Sequence, residues 1–531
     1  MTSDPLRLEH FLDAAAAASP QATAVVGSAE RLTFGELDEL SARLANCLRD
    51  VCGCSAGDRV VLAVNKSPRA IVAMHAALRA GCAYVPVDPD SPPARSALVL
   101  RAADPAVIVG DRPGLERARA SLDTLGAASR PLCVALEPDG DPLADVAART
   151  WLDRPRSYPQ LANGDSDVAH ILFTSGSTGE PKGVQVTHRS AVAFVRWAVR
   201  HFAIAPGERL SGHPPLHFDL STFDIYGSIH ARAELHLVPP QLNVDPRGLA
   251  RFIRERELVQ WFSVPSVLTL LARFDAVADH DFPTLKRLLW CGEVLPTPVL
   301  RHWMQRLPHV RFTNLYGPTE ATIASSYYDV PALPASDDDE IPIGRPCPGE
   351  ELLVVREDGS EAAVDEVGEI WIAGVGLSPG YWRDAERTRR AFVAHPRAPS
   401  RRCYRTGDLG RRDRDGLFFF HGRRDAQIKH RGYRIELGEI EAALNKLDAV
   451  RECAVVGVPV GGVEGTAICA AWSRRPQADA DHALLRRELA ELLPRYMLPT
   501  RWLELPELPK NVNGKIDRRA LVERFRKEVG R

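Results

Sequence analysis

Apolar positions recur along this chain with two different periods. Thr33 and Glu36 stand at capping-box spacing, and Leu37, Leu40, Leu44 and Leu48 follow at helical intervals, which predicts one helix with a buried stripe. Short β-rich runs at Val60 to Val64, Val168 to Phe173 and Leu285 to Trp290 alternate with helical stretches, the pattern of parallel sheets covered by helices. The chain up to Gly422 therefore reads as α/β. Beyond it, a charged stretch from Arg423 to Arg434 leads into a helix from about Leu437, with Ile440, Leu444 and Leu447 on one face. Strand-like runs at Ala454 to Val458 and Ala467 to Trp472 follow, then a helix around Leu484 to Leu493. This is a small α+β unit, so the expected domains are residues 1–424 and 425–531. The proline-studded acidic stretch from Pro331 to Glu340 reads as a solvated loop.

Composition narrows the class. A chain of 531 residues that is 45% hydrophobic buries a large core and exceeds one ordinary domain. Lys and Arg total 67 against 69 Asp and Glu, a net charge of -2, so no basic field points to nucleic acid or to an anionic membrane. The ten cysteines are scattered, and Cys52 and Cys54 lack the second pair of a zinc site, so reduced thiols without structural metal are expected. Asp4, Glu9 and Asp13 precede the alanine run Ala14 to Ala18, which reads as a helix and not as a signal peptide. No apolar run approaches the roughly 18 residues of a membrane span. A soluble cytoplasmic protein is the expectation.

The strongest chemical signal is ILFTSGSTGEPKG, Ile171 to Gly183, a strand entering a loop of glycines, hydroxyls and one lysine. Backbone N–H groups at Gly176 and Gly179, the hydroxyls of Thr174, Ser175, Ser177 and Thr178, and the charge of Lys182 suit a polyphosphate. Pro181 before the lysine and Gly183 after it exclude a Walker loop, which needs Ser or Thr there for magnesium.

Further segments come in order: RAGCAYVPVD at Arg79 to Asp88, NLYGPTE at Asn314 to Glu320, YRTGDL at Tyr404 to Leu409, GRRDAQIKHRGYRIELGEIE at Gly422 to Glu441, and NGKIDR at Asn513 to Arg518. With the loop, they make the chain resemble, over nearly its whole length, the superfamily of acyl-CoA synthetases, peptide-synthetase adenylation domains and firefly luciferase. The resemblance implies a large domain of helix-covered sheets with a small β-barrel-like portion and a small mobile α+β lid. It implies attack of a carboxylate on the α-phosphate of ATP, which requires positive charge at the reacting phosphoryl group.

The same resemblance assigns roles. Lys515, after the tight turn favoured by Asn513-Gly514, bridges substrate carboxylate and α-phosphate, while Lys182 helps pyrophosphate depart. Glu320 is a magnesium ligand, Thr319 a phosphate contact, Tyr316 an adenine face and Asp408 a ribose ligand near Arg423; Glu293 joins the nucleotide set. Asp425 is the hinge, and Gly432-Tyr433 approaches a pantetheine tunnel. In HFDLSTFDIYG, His217 to Gly227, Asp219 matches the aspartate that holds an amino acid's α-ammonium, and a buried carboxylate needs such a partner.

The pocket positions carried over are Leu220, Phe223, Ser266, Leu289, Cys291, Leu315, Ile323 and Ala324, closed by Lys515. With no second charge among them, a compact uncharged side chain is expected. The set is similar to that of free-standing prolyl adenylating enzymes of pyrrole pathways, which implies L-proline; serine, cysteine or alanine share several positions. No Gly-Gly-x-Ser carrier site follows Lys515. The expected acceptor is a separate phosphopantetheinylated carrier protein, with free coenzyme A, as in an acyl-CoA ligase, the alternative. A monomer is the default expectation.

Overall fold

The computed structural model describes all residues except 1–5, 127–129, 138–140, 159–162, 177–178, 426, 461–464, 477, 479, 511–515 and 530–531. Two large mixed sheets form the body. In the first, six parallel strands run in the order Arg311–Tyr316, Arg287–Cys291, Gln260–Ser263, Arg209–Gly212, Glu234–Leu237 and Thr23–Val26. Antiparallel strands flank them, Ser326–Asp329 and Arg345–Pro346 at one edge and Arg31–Thr33 at the other. The second sheet orders Leu132–Ala135, Val107–Gly110, Arg59–Ala63, Ala83–Pro86 and Val168–Thr174 in parallel, with Lys182–Thr187 returning antiparallel. Parallel strands are covered on both faces, so they read as unbroken apolar runs, as in the fully buried VIVG of Val107–Gly110. The edges depart from the all-parallel expectation because Lys182–Thr187 and Ser326–Asp329 return through short turns that leave no room for a crossover helix.

The capping box at Thr33 forms: Glu36 N–H donates to Thr33 Oγ1 and Thr33 N–H to Glu36 Oε2, starting the helix Phe34–Asp50. Helix Pro68–Arg79 is buried nearly all round, and its N-cap Ser67 accepts from Ala70 N–H. A third, antiparallel sheet follows, made of Glu350–Val355, Gly368–Gly374, Arg402–Arg412, Phe392–Ala394 and Phe418–Arg423. It is the β-rich portion expected beside the helix-covered sheets.

After Arg423 come the hairpin Gln427–His430/Tyr433–Glu436 and a three-stranded sheet of Val450–Pro459, Thr466–Arg474 and Arg501–Glu504. Strand alternation sorts its residues: Cys453 and Val455 join a core with Ile440, Leu444 and Leu485, while Ala454, Val456 and Val458 join Leu521 and Phe525 on the other face. Helices Leu437–Leu444 and His482–Ala490 end sooner than their apolar periods suggest. Leu447 and Leu493 lie beyond them yet remain in the core, because tertiary burial prolongs the apolar pattern past the last turn. Pro331 to Glu340 carries no regular structure. Among the described residues, no helix is long and apolar enough to cross a membrane.

Candidate active site

The strands Gln260–Ser263, Arg287–Cys291, Arg311–Tyr316 and Val168–Thr174 all deliver their C-terminal ends to one cavity of about 140 Å³, the location where open α/β sheets bind ligands. Asp219, immediately before helix Leu220–Ala231, lines it together with Leu220 and Cys291. Phe223, Leu289, Leu315, Ile323 and Ala324 pack behind them in one buried apolar cluster. Phe194 and Phe262 wedge edge-on against Phe223, at 5.7 and 5.9 Å between ring centroids.

Burial pushes the Asp219 carboxyl up to about 6, against the pull of the Thr319 hydroxyl and the Leu220 N–H. Thr319 Oγ1 donates to Asp219 Oδ2 at 2.7 Å. The cavity also receives Lys429 from the C-terminal hairpin, close enough to act electrostatically on Asp219 and Cys291. Lys429 is not among the carried-over pocket positions; it adds a charge to the lining from an element distant in sequence. Ser266 does not line this cavity. Its backbone N–H donates to Glu293 Oε2 at 3.0 Å, and Val264, two residues earlier, lines the cavity.

At the phosphate loop, Thr174 ends its strand, and Gly179 takes φ +82°, a left-handed value that favours glycine. Ser177 and Thr178 lie outside the described residues. The loop's donors are engaged by the C-terminal segment: Ser175 Oγ donates to Arg434 O at 2.6 Å, and Gly176 N–H to Glu439 Oε2 at 3.2 Å. Lys182 Nζ lies 3.4 Å from Glu320 Oε1 and 3.8 Å from Glu436 Oε1. Burial first, then the neighbouring Arg434, lowers its ammonium to about 8. Glu320 is 0% exposed. Burial alone would neutralise it, but Arg434 Nη1 at 2.7 Å, Lys182 and the Tyr381 hydroxyl at 2.8 Å hold its carboxyl well below the usual range.

At the opposite wall, Asp408 accepts from the Tyr316 hydroxyl at 2.7 Å and pairs with Arg423. Arg423 also donates to both oxygens of Asp425 at 2.8 Å, joining the ribose and hinge candidates in one network.

The hairpin turn enters the site bodily. Gly432 N–H donates to Glu293 Oε1 at 2.7 Å, and a Cβ on Gly432, at φ +81°, would sit 2.8 Å from Val264 Cγ1. Tyr433 meets Phe218 edge-on at 4.9 Å and stacks on Tyr496 at 3.5 Å. Glu439 pairs with Arg95. Lys515 and the Asn513-Gly514 turn lie outside the described residues; Lys510 and Ile516 flank them as an antiparallel bridge. Sequence reasoning missed Arg434, Lys429, Glu439 and Tyr381. All but Tyr381 sit inside a quoted motif, and no local period announces contacts such as Arg434–Glu320 across 114 residues.

Residues 12–382 match the family model of the AMP-binding enzyme, and residues 439–515 that of the AMP-binding enzyme C-terminal domain. The chain is 37% identical over 507 residues to an L-proline–(L-prolyl-carrier protein) ligase of Pseudomonas fluorescens, covering 95% of this chain and 96% of the relative. It is 35% identical over 538 residues to the ligase of the same name from Streptomyces coelicolor, at 98% and 96% coverage. Among solved structures, the Vibrio cholerae adenylation domain AlmE, crystallised with glycyl-adenosine-5'-phosphate, superposes with a TM-score of 0.85 at 26% identity over 99% of both chains. With the family models spanning both units and relatives matching nearly end to end, the chain belongs to the AMP-binding enzyme family.

Proposed function

We propose that this protein activates L-proline with ATP as prolyl-AMP and transfers the prolyl group to the phosphopantetheine thiol of a separate carrier protein, working as a cytoplasmic monomer. The observation that carries this reading is Asp219. It is a buried carboxylate lining the cavity in front of a buried apolar cluster, and among the described residues of the large domain its partners are the Thr319 hydroxyl and the Leu220 N–H, not a cation. An α-ammonium supplies the missing charge, and the apolar cluster suits an uncharged ring. The names of the two relatives cited support proline over serine, cysteine or alanine.

In the first half-reaction, a substrate carboxylate oxygen attacks the α-phosphorus. The bond from that phosphorus to the bridging oxygen breaks, and pyrophosphate leaves. Lys515 is assigned to the ground between carboxylate and α-phosphate, and Asp408 and Tyr316 to the nucleoside. In the second, the carrier thiolate attacks the acyl carbon and AMP leaves with the former carboxylate oxygen.

Ser175, Gly176, Lys182 and Glu320 are all engaged by the C-terminal segment, so this arrangement leaves those groups unavailable to a triphosphate. We assign it to the second half-reaction, with Gly432-Tyr433 beside the thiol's path and Asp425 as the hinge. Magnesium fits Glu320, a fully buried carboxylate that would offer it a hard oxygen once Arg434 withdraws. When bound, the ion neutralises charge on the phosphates.

The test is loading of a holo carrier protein from a prolyl-AMP-generating pathway, with ATP and proline, read by mass spectrometry. A prolyl thioester on the carrier and none on coenzyme A supports the proposal. Transfer to free coenzyme A alone contradicts it.

A further inference from the structure

Ile323 and Ala324, in the apolar cluster behind the cavity, follow a backbone that β-branched residues avoid. Thr322 takes φ +55° and Ile323 φ +71° in succession, both in the left-handed region. Ala324 N–H donates to Thr322 O at 2.9 Å, which closes a three-residue γ-turn about Ile323 in its rare, strained form. All three residues are buried, and Cys291 Sγ, from the cavity lining, donates to Ile323 O at 3.8 Å. Such a conformation persists only where its surroundings hold it.

One tether of this turn comes from the third sheet, outside the pocket. Thr322 Oγ1 donates to Gly376 O at 2.7 Å, and Gly376 N–H donates to Glu350 Oε1 at 2.7 Å. Glu350 opens the strand Glu350–Val355, opposite Gly374. A Cβ on Gly376 would stand 2.8 Å from Ala321 O and 2.9 Å from Glu350 Oε1, so glycine alone lets that peptide pass between them. Behind Ala324 lies a cavity of about 10 Å³, lined also by Phe194, Cys347 and Glu350, too small for more than one water. Packing is therefore incomplete on this side of the wall, and the hydrogen-bond chain keeps the turn from retreating into the gap.

We propose that Glu350 is a positioning residue for amino-acid selection: through Gly376 and Thr322 it fixes the turn at Ile323, and with it the depth of the pocket. The proposal rests on the reading that Ile323 and Ala324 wall the amino-acid pocket. Ser378 N–H donates separately to Glu320 O at 2.9 Å, so the nucleotide side keeps its own tie when the Glu350 bond is cut. Burial pushes the Glu350 carboxyl up to about 8 against the pull of the Gly376 N–H, so near neutral pH a glutamine mimics its charge as well as its shape.

ATP–pyrophosphate exchange by the full-length protein tests the proposal in the unaltered chain, Glu350→Ala, Glu350→Gln and Thr322→Val. Each is assayed with the amino acid that the unaltered chain exchanges best and with its homologue one methylene larger, which for proline is pipecolate. Glu350→Ala is expected to raise KM for the preferred amino acid about tenfold, the scale of a buried N–H left without its acceptor, while KM for ATP stays within about twofold. The preference over the larger homologue should shrink by a similar factor, as the wall yields into the gap. Glu350→Gln, whose amide oxygen accepts the same bond, should keep most of the unaltered selectivity. Thr322→Val cuts the next link with little change of shape, and should reproduce the Glu350→Ala pattern even where that variant folds poorly. Unchanged selectivity in Thr322→Val, equal rises of KM for amino acid and ATP, or a Glu350→Gln variant no better than Glu350→Ala overturns the proposal. Because the preferred amino acid is used, a substrate other than proline leaves the test readable; no exchange on any amino acid by the unaltered chain would overturn the pocket reading itself.

Discussion

Asp219 and Glu320 are both buried carboxylates beyond the C-terminal ends of strands in the same sheet, yet they stand in opposite electrostatic states. Glu320 is held ionised by Arg434 and Lys182, whereas Asp219, with a hydroxyl and the more distant Lys429, is pushed up to about 6 by burial. The comparison teaches where each half of the chemistry draws its charge. The acid end is incomplete without a cationic substrate. The phosphate end is complete only while the C-terminal segment is docked, and becomes available to a metal and polyphosphate when that segment leaves.

The largest expected effect falls on the cation assigned to the ground between the substrate carboxylate and the α-phosphate. Lys515→Ala should lower adenylation by at least roughly 10²-fold, as for loss of one preorganised charge-stabilising group, and near-normal pyrophosphate exchange would remove it from the mechanism. Asp219→Asn should also cut exchange by about 10²-fold, expressed mainly in KM for the amino acid, since it leaves the α-ammonium without its charge partner. An unchanged KM would break the comparison at its acid end.

Arg434→Ala sharpens the other end. It should slow thioester formation by about tenfold while sparing adenylation, because the docked arrangement loses its bond to Glu320. Equal loss in both half-reactions would contradict the division of labour.

The pH dependence is milder. The ammonium needs the Asp219 carboxylate, so kcat/KM for the amino acid should fall as pH drops below about 6, approaching tenfold per unit. A profile flat down to pH 5 would show that Asp219 does not titrate there.

The smallest effect concerns stability without substrate. The folded Asp219 carboxyl binds its proton more tightly than the unfolded one, so the folding penalty is absent below the usual carboxylate range and fully developed above about pH 6. Asp219→Asn should therefore raise the thermal midpoint at pH 7.5 and not at pH 4, opposite in sign to its effect on exchange. Calorimetry at the two pH values checks it.

Much of the fold was legible because it is encoded locally. The Thr33–Glu36 capping box, the buried runs such as Val107–Gly110 and the strand into the phosphate loop each combine period and punctuation within about a dozen residues. Asp219 and Asp408 were reachable through motifs and Cys291 through the carried-over pocket positions, and all three line the cavity. What escaped depends on how the C-terminal hairpin docks. Lys429 beside Asp219 and Arg434 against Glu320 unite distant segments through a contact that no apolar period specifies. At Ser266, Pro265 starts a helix, which turns the Ser266 N–H toward Glu293 and leaves Val264 on the cavity.

The central claim is that Asp219 awaits an amino acid's ammonium over a pocket shaped for proline, and ATP–pyrophosphate exchange across the proteinogenic amino acids tests it most directly. Exchange peaking on L-proline is the predicted result. A peak on serine, cysteine or alanine would contradict the substrate assignment, and silence on every amino acid would contradict the role given to Asp219.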